Sequence, residues 1–384
     1  MLFVHPGEAF NRIGGARLRW NALAEGMQRV AEVVRFETRC AGGCGGHPTG
    51  PAVEDSLGWM PDADPYWFYY CPRTARQLAQ LAADGDFSII VASGLEMTRY
   101  LSEIPATAGV KRVIDIKDVE SELRLTITRA TRDRPQYASW ASEEVARQLG
   151  QLEVATTGEC DAVWTCTEED RATLVCKYGL RADGIWVLPN AVALPGIADV
   201  PRPSRVVCIG KLNYFPVVQA AEFVITRLAP ALWARRPSVP VLLAGAAPSD
   251  SLVNMARAAG VEIVANPEDM APYRKGSIQV VPLRLGGGSR LKILEAFASY
   301  SPVVSTAKGI EGIPAVPGQD FYLAEEPAEY VDAVVRLLDD PVACTAMTTA
   351  ARTFVARHNS IEAVESEFVA FLRWLAGDTD ASGT

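Results

Sequence analysis

The segment Pro282-Leu283-Arg284-Leu285-Gly286-Gly287-Gly288-Ser289-Arg290-Leu291-Lys292-Ile293-Leu294-Glu295-Ala296 concentrates the chemistry of this chain. An apolar, β-rich run ends at Pro282, three glycines follow, and a helical pattern starts near Ser289. Glycines let backbone N–H groups approach a ligand closely. A helix N-terminus adds unpaired donors and positive potential. Arg290 and Lys292 put two full cations in the first turn, and the combination suits a diphosphate held by Gly286, Gly287, Gly288, Ser289 and Leu291. Lys292 and Glu295 stand three apart, on one side of a helix. Glu295 could therefore accept hydrogen bonds from ribose hydroxyls while Lys292 holds phosphate. The plain alternative is a glycine turn with solvated cations.

The elements that must position this segment alternate in type. Short β-rich runs, among them Leu2–His5, Ser88–Ala92, Arg112–Ile116, Ala162–Cys166, Arg205–Ile209, Val239–Ala244 and Ile278–Val281, are separated by helical stretches such as Val218–Ala234 and Ser289–Tyr300. This alternation predicts an α/β fold with parallel sheets and helices on both faces. A length of 384 residues exceeds what one core usually serves. A Pro- and Ala-rich break at 193–204 divides the chain into two doubly wound, Rossmann-like domains, 1–199 and 200–360, with an interdomain cleft at the carboxyl ends of the strands. The C-terminal helix, 361–378, is expected to join the first domain, followed by a polar tail.

The composition, 49% hydrophobic and 22% charged, is that of an ordinary globular chain. With a net charge of −9 and no basic half, it offers no field for nucleic acid or anionic lipid. No uninterrupted apolar run approaches the roughly 18 residues of a transmembrane helix, and the N-terminal apolar run is too short for a signal peptide, which points to the cytoplasm. Several of the eight cysteines lie in apolar strand-like runs and read as buried thiols. Cys40, Cys44 and His47 could hold zinc, but lack a second ligand pair at a recognised spacing, so no metal site is assigned. Pro65-Tyr66-Trp67-Phe68-Tyr69-Tyr70 is densely aromatic and either packs beneath the irregular 40–65 region, stacks on a planar acceptor or dips into a membrane interface.

The glycine segment resembles the donor-binding signature of family 4 glycosyltransferases, in the subgroup reading P-L-R-x-G-G-G-T-R-L-K-I-L-E-A. Val207-Cys208-Ile209-Gly210-Lys211-Leu212-Asn213-Tyr214-Phe215-Pro216 resembles the G-x-M-x-Y-x-P-N opening of that family's second domain. Ser301–Gly312 resembles its P-V-V-S-T-x-x-G-x-E-G-L block, Leu188–Val192 its V-P-N-G-V linker, and Ile114–Ser121 its D-L-H-D-V-E-S stretch. The resemblance implies the GT-B fold and an enzyme that moves a sugar from a nucleotide sugar to an acceptor, with retention of anomeric configuration and without a metal. The donor is expected on the C-terminal domain and the acceptor mainly on the N-terminal one. Arg290, Lys292 and Lys211 are the candidates to stabilise charge on the departing diphosphate.

Three departures from the family pattern stand out. Many members carry two glutamates eight residues apart, but the position eight before Glu295 is Gly287. The usual lysine after the second domain's first glycine is replaced by the Asn213–Pro216 segment. Lys117 stands where the subgroup often has histidine near the reacting centre; it either hydrogen-bonds sugar or phosphate or is a surface lysine. Asn266 occupies the base-recognition turn, and Glu311 either touches the sugar or caps a helix. Gly15, after Gly14 and with Arg12, Arg17 and Arg19 nearby, either lines the diphosphate or is a plain strand–helix turn. Glu96, Asp118 and Glu120 are acceptor-side candidates, with solvated helix starts as the alternative.

The expected function is therefore a glycosyltransferase that uses a UDP- or GDP-sugar, requires no further cofactor, and serves a small-molecule (natural-product-like) or saccharide acceptor. No strong membrane association is expected, and a homodimer remains open. The alternatives are an epimerase-type isomerase of the same architecture and a non-catalytic nucleotide-binding protein.

Overall fold

The computed structural model describes residues 1–6, 15–38, 66, 70–132, 142–196, 200–288 and 290–377. Arg12, Gly14, Cys40, Cys44, His47, Trp67–Tyr69, Ser289 and the tail beyond Gly377 lie outside the described residues. The chain divides into two units, Met1–Asn190 with Val364–Thr384, and Ala191–Ala363.

The first unit is a six-stranded parallel sheet of β1 (Leu2–Pro6), β2 (Val34–Thr38), β3 (Ile89–Ser93), β4 (Lys111–Ile116), β5 (Ala162–Thr165) and β6 (Ile185–Val187), in the order β2-β1-β3-β4-β5-β6. β1 and β5 are buried along their whole length. They read as continuous apolar runs because helices cover both faces of a parallel sheet. β2 escapes the sequence reading: it is the edge strand, its first half is exposed, and Arg35 and Glu37 interrupt its apolar pattern. From Val364 onward the helix Ile361–Leu375 belongs to this unit. Phe368 and Phe371 pack edge-on against Trp164, at 5.7 and 5.0 Å between ring centroids.

The second unit is a six-stranded parallel sheet of β7 (Arg205–Ile209), β8 (Val241–Gly245), β9 (Glu262–Ala265), β10 (Ser277–Val281), β11 (Val303–Ser305) and β12 (Tyr322–Leu323), in the order β12-β11-β10-β7-β8-β9. The strand order reverses between β7 and β10, and such a switch point opens a crevice at the strands' carboxyl ends. Gly210 follows β7 there, and the triple-glycine turn follows β10.

The stretch read as one helix, Val218–Ala234, runs from Phe215 to Arg235 but contains a π-helical turn, Val224–Leu228. Pro230 lacks an N–H and its ring crowds the carbonyl four residues back. Widening the preceding turn by one residue, so that Ala229 N–H reaches Val224 O, relieves that clash. Glu222 and Arg227 interrupt the apolar run of Phe215–Arg235, yet these 21 residues are, by length and composition, the one helix among the described residues long and apolar enough to cross a membrane, with 56% of their apolar window buried. Val217, Ala221, Val224, Leu228 and Leu232 lie in the second unit's core. Cys71, Cys166, Cys208 and Cys344 are buried thiols, whereas Cys176 is exposed.

Candidate functional site

The site begins where β7 ends. Gly210 has no side chain, and the space a Cβ would take is filled by Val217 Cγ1, 2.8 Å away, and by Lys292 Nζ, 2.9 Å away. The next strand closes in from the other side, since a Cβ on Gly245 would collide with the Gly210 carbonyl. Lys292 comes from the helix Leu291–Ala298, whose first turn is tied to the sheet by buried Gln279, donating from Nε2 to the Lys292 carbonyl at 2.8 Å. Among the described residues the Lys292 ammonium has no hydrogen-bond or ion-pair partner. Burial strips its water and pushes its pKa down to about 8, with Arg290 opposing its charge further. A cation held this way gains most from a ligand that brings negative charge.

The helix begins at Leu291, not near Ser289, and Arg290 is its N-cap residue. The Arg290 guanidinium is only 7% exposed. It turns back into the glycine turn, donating to the Gly287 and Gly288 carbonyls and, at 3.4 Å, to Lys308 O. Gly286 (φ 135°) and Gly288 (φ 62°) adopt backbone conformations that glycine takes readily. At Gly286 a Cβ would lie 2.9 Å from Arg290 Nη2. A trans peptide sets N–H opposite C=O, so pinning the Gly287 carbonyl turns the Gly288 N–H away from the guanidinium. The two expected cations thus divide the work: Arg290 shapes the turn, and Lys292 faces the end of β7.

Glu295 lies one turn further along the same helix. Its Oε2 accepts from Arg274 Nη2 at 2.6 Å. Burial raises its pKa, against the lowering influence of Arg274 and Lys292. Asn266 takes a positive φ of 52°, donates its N–H to Gly245 O at 2.8 Å and accepts the Ala247 N–H on Oδ1 at 2.7 Å. It therefore staples the turn after β8 to the turn after β9. Lys211 is exposed immediately beyond Gly210, and Asn213 is half-buried in the turn entering the Phe215 helix. Glu311 caps the short helix Ala307–Ile310; its carboxylate accepts from Lys308 and lies 3.9 Å from Arg290. The structure thus gives Glu311 the helix-end position that the sequence left open.

In the first unit the strand order reverses between β1 and β3. Two expected residues meet near the ends of β3 and β4: Lys117 Nζ donates to Glu96 Oε1 at 2.6 Å, with side chains 17% and 13% exposed. Lys117 also lies 5.1 Å from the Trp20 ring centroid. Burial lowers the Lys117 pKa, but Glu96, its hydrogen bond and Asp115 more than offset this, and the net shift is upward. Glu120 opens the helix Glu120–Ala130 and pairs with Arg124 at 3.4 Å, while Asp118 is half-buried just before it. Gly15 is the first residue of the helix Gly15–Val30. Arg19, grouped by sequence with the arginines near that turn, is instead fully buried against Asp115.

Sequence reasoning missed Asp115, Arg274 and Gln279. Asp115 and Gln279 each interrupt an apolar strand, in Val-Ile-Asp-Ile and Ser-Ile-Gln-Val-Val, and a polar residue inside a buried strand signals a fixed partner. Arg274 carries no comparable mark. Among the described residues no group of three or more His, Cys, Asp or Glu is placed to hold a metal ion.

Residues 203–340 match the family model described as Glycosyl transferases group 1. The second unit carries a glycosyl transferases group 1 domain. This domain holds Gly210, Lys211, Arg274, the glycine turn, Lys292, Glu295 and Glu311. Among solved structures, sucrose-phosphate synthase from Thermosynechococcus elongatus is similar at a TM-score of 0.70 and 17% identity, covering 98% of this chain and 99% of that one. Anabaena HepE, solved with UDP-glucose, matches at 0.68 and 14%, covering 97% and 100%. TarM matches at 0.62 and 13% over 77% of this chain, which spans only 57% of TarM's length. At these identities the likeness is one of fold, and the fold is GT-B: two α/β units, each built on a six-stranded parallel sheet. No curated protein matches the sequence.

Proposed function

We propose that the protein transfers a sugar from a nucleoside-diphosphate sugar, UDP- or GDP-linked, to a diffusible small-molecule or saccharide acceptor, with retention of anomeric configuration. The observation that carries this reading is the half-buried Lys292 ammonium, without a hydrogen-bond or ion-pair partner among the described residues, at the β7–β10 switch point, beside the glycine turn and at the start of a helix. As the bond from the anomeric carbon to the diphosphate oxygen breaks, the leaving group gains negative charge. Lys292 and the loop N–H groups are fixed before the reaction, so they meet that charge without reorganising. We assign the donor to the group 1 domain, with Glu295 on the ribose and the Asn266 turn at the base. We assign the acceptor to the first unit, where Lys117 and Glu96 pair beside Trp20. HepE was solved with UDP-glucose, and a TarM variant from S. aureus with UDP and α-GlcNAc-glycerol, which fits a nucleotide sugar as donor and a hydroxylated acceptor.

A thermal-shift screen with UDP, GDP, TDP and ADP forms identifies the nucleotide, because a ligand that binds only the native state raises its melting temperature. With that donor, nucleoside diphosphate must be released only when an acceptor is supplied. Turnover of donor alone to an isomeric nucleotide sugar would instead show an isomerase.

A further inference from the structure

Glu295 does not stand alone in the group 1 domain, and its partner comes from a segment with no motif. Arg274 ends the short helix Ala271–Arg274, between β9 and β10. This helix is tied down at both ends. Asp269 Oδ1 accepts the Ala271 N–H at 2.9 Å, and Arg205 donates to Pro272 O at 2.6 Å and Lys275 O at 3.3 Å. The arginine side chain is 9% exposed, and its Nη2 reaches Glu295 Oε2 at 2.6 Å. Its Nε is buried with no acceptor among the described residues. The ion pair thus takes one oxygen of Glu295, while no described residue donates a hydrogen bond to Oε1. Glu295 is 22% exposed, so this carboxylate stays in reach of solvent and of a ligand.

A carboxylate so held differs from a free surface glutamate in two ways. Its rotamer is held by the ion pair, and Arg274 counters the rise in its pKa that burial and Asp269 cause. Lys292, on the same helix, also favours the charged form. A charged acceptor binds a hydroxyl roughly twice as strongly as a neutral one.

Resting on the proposed role of Glu295 at the ribose, we propose that Arg274 is the positioning residue that aims the free Glu295 oxygen at the donor's ribose diol and so makes the site select ribonucleotides. Arg274 touches no part of the nucleotide in this arrangement. Its effect is confined to the hydroxyls that Glu295 contacts.

The test measures affinity by calorimetry for UDP and GDP and for their 2′,3′-dideoxy analogues, in the wild type, Arg274→Met, Arg274→Lys and Glu295→Gln. In the wild type the ribose form binds about tenfold or more tighter than the dideoxy form, because a site built for a hydroxyl leaves a buried acceptor unpaired without it. Arg274→Met brings that ratio close to one while the dideoxy form binds as in the wild type, and Arg274→Lys recovers part of the ratio. A merely structural loss would weaken both forms together and leave the ratio unchanged, which overturns the proposal. If Glu295→Gln abolishes the ratio and Arg274→Met does not, the positioning role falls and the ribose assignment stands. If the wild type shows no ratio, or binds neither nucleotide, the ribose assignment fails and the positioning role with it.

Discussion

Arg19 and Asp115 form a fully buried ion pair in the first unit, with Arg19 Nη2 2.5 Å from Asp115 Oδ1 and Nε 3.0 Å from the same oxygen. Ser93 Oγ donates to Asp115 Oδ2 at 2.6 Å, and Arg19 Nη1 donates to Leu188 O and Asn190 Oδ1. Burial opposes the arginine's charge, but Asp115 outweighs it and raises its pKa. This one network ties the helix Gly15–Val30 to β3, β4 and the segment after β6.

Breaking that pair from one side strands a charge in the core. Asp115→Asn is therefore expected to cost about 3–5 kcal/mol in urea unfolding at pH 7. The double variant Arg19→Met/Asp115→Leu removes both charges and should recover at least half of that loss. A single variant as stable as the wild type would show that the pair is not formed.

Lys292 should serve function at the expense of stability. Its pKa is about 8 in the folded protein, below its ordinary 10.5, so below pH 8 folding carries a buried charge that the unfolded chain does not. Lys292→Met is expected to raise stability by about 1–3 kcal/mol at pH 7. That gain should shrink as pH rises from about 8 toward 10.5, where the folded lysine is already neutral and the unfolded one loses its proton. Turnover should fall by about 100-fold or more, as for loss of a group that stabilises transition-state charge. In the wild type, nucleoside-diphosphate affinity should weaken as pH rises through about 8, and this step should vanish in the variant. Denaturant melts and nucleotide titrations from pH 6 to 10 check both signs.

Gly210→Ala keeps every charge but invades the space of Lys292 Nζ and Val217. The expected result is a loss of about 1–3 kcal/mol in stability from overpacking, with weaker nucleotide binding because the ammonium must move. Nucleotide affinity equal to the wild type's would separate Lys292 from the end of β7.

Lys117 and Glu96 should behave as a unit. Each single change, Lys117→Met or Glu96→Gln, leaves a half-buried polar group without its partner. A double-mutant cycle on kcat/KM should therefore show a coupling of about 0.5–3 kcal/mol. Because the pair lies in the first unit, nucleotide affinity should stay within about threefold of the wild type's in all three variants. Additive losses, or losses confined to nucleotide binding, would remove the pair from the acceptor side.

The strand–helix alternation, the parallel sheets and the glycine turn with Arg290, Lys292 and Glu295 after it were legible from residue order alone. These are local properties: apolar runs set strands, glycine sets turns, and spacing sets which residues share a helix face. Which charges stay available depends on contacts made only in the folded chain. Arg19 and Asp115 lie 96 residues apart and Arg274 and Glu295 lie 21 apart, so no local pattern shows that they pair. Arg290 and Lys292 look equivalent in sequence, yet one guanidinium fills the glycine turn while the other cation stands over Gly210. The reason is electrostatic: a buried charge is defined by the partners that replace its lost water, and those partners are chosen by the folded chain.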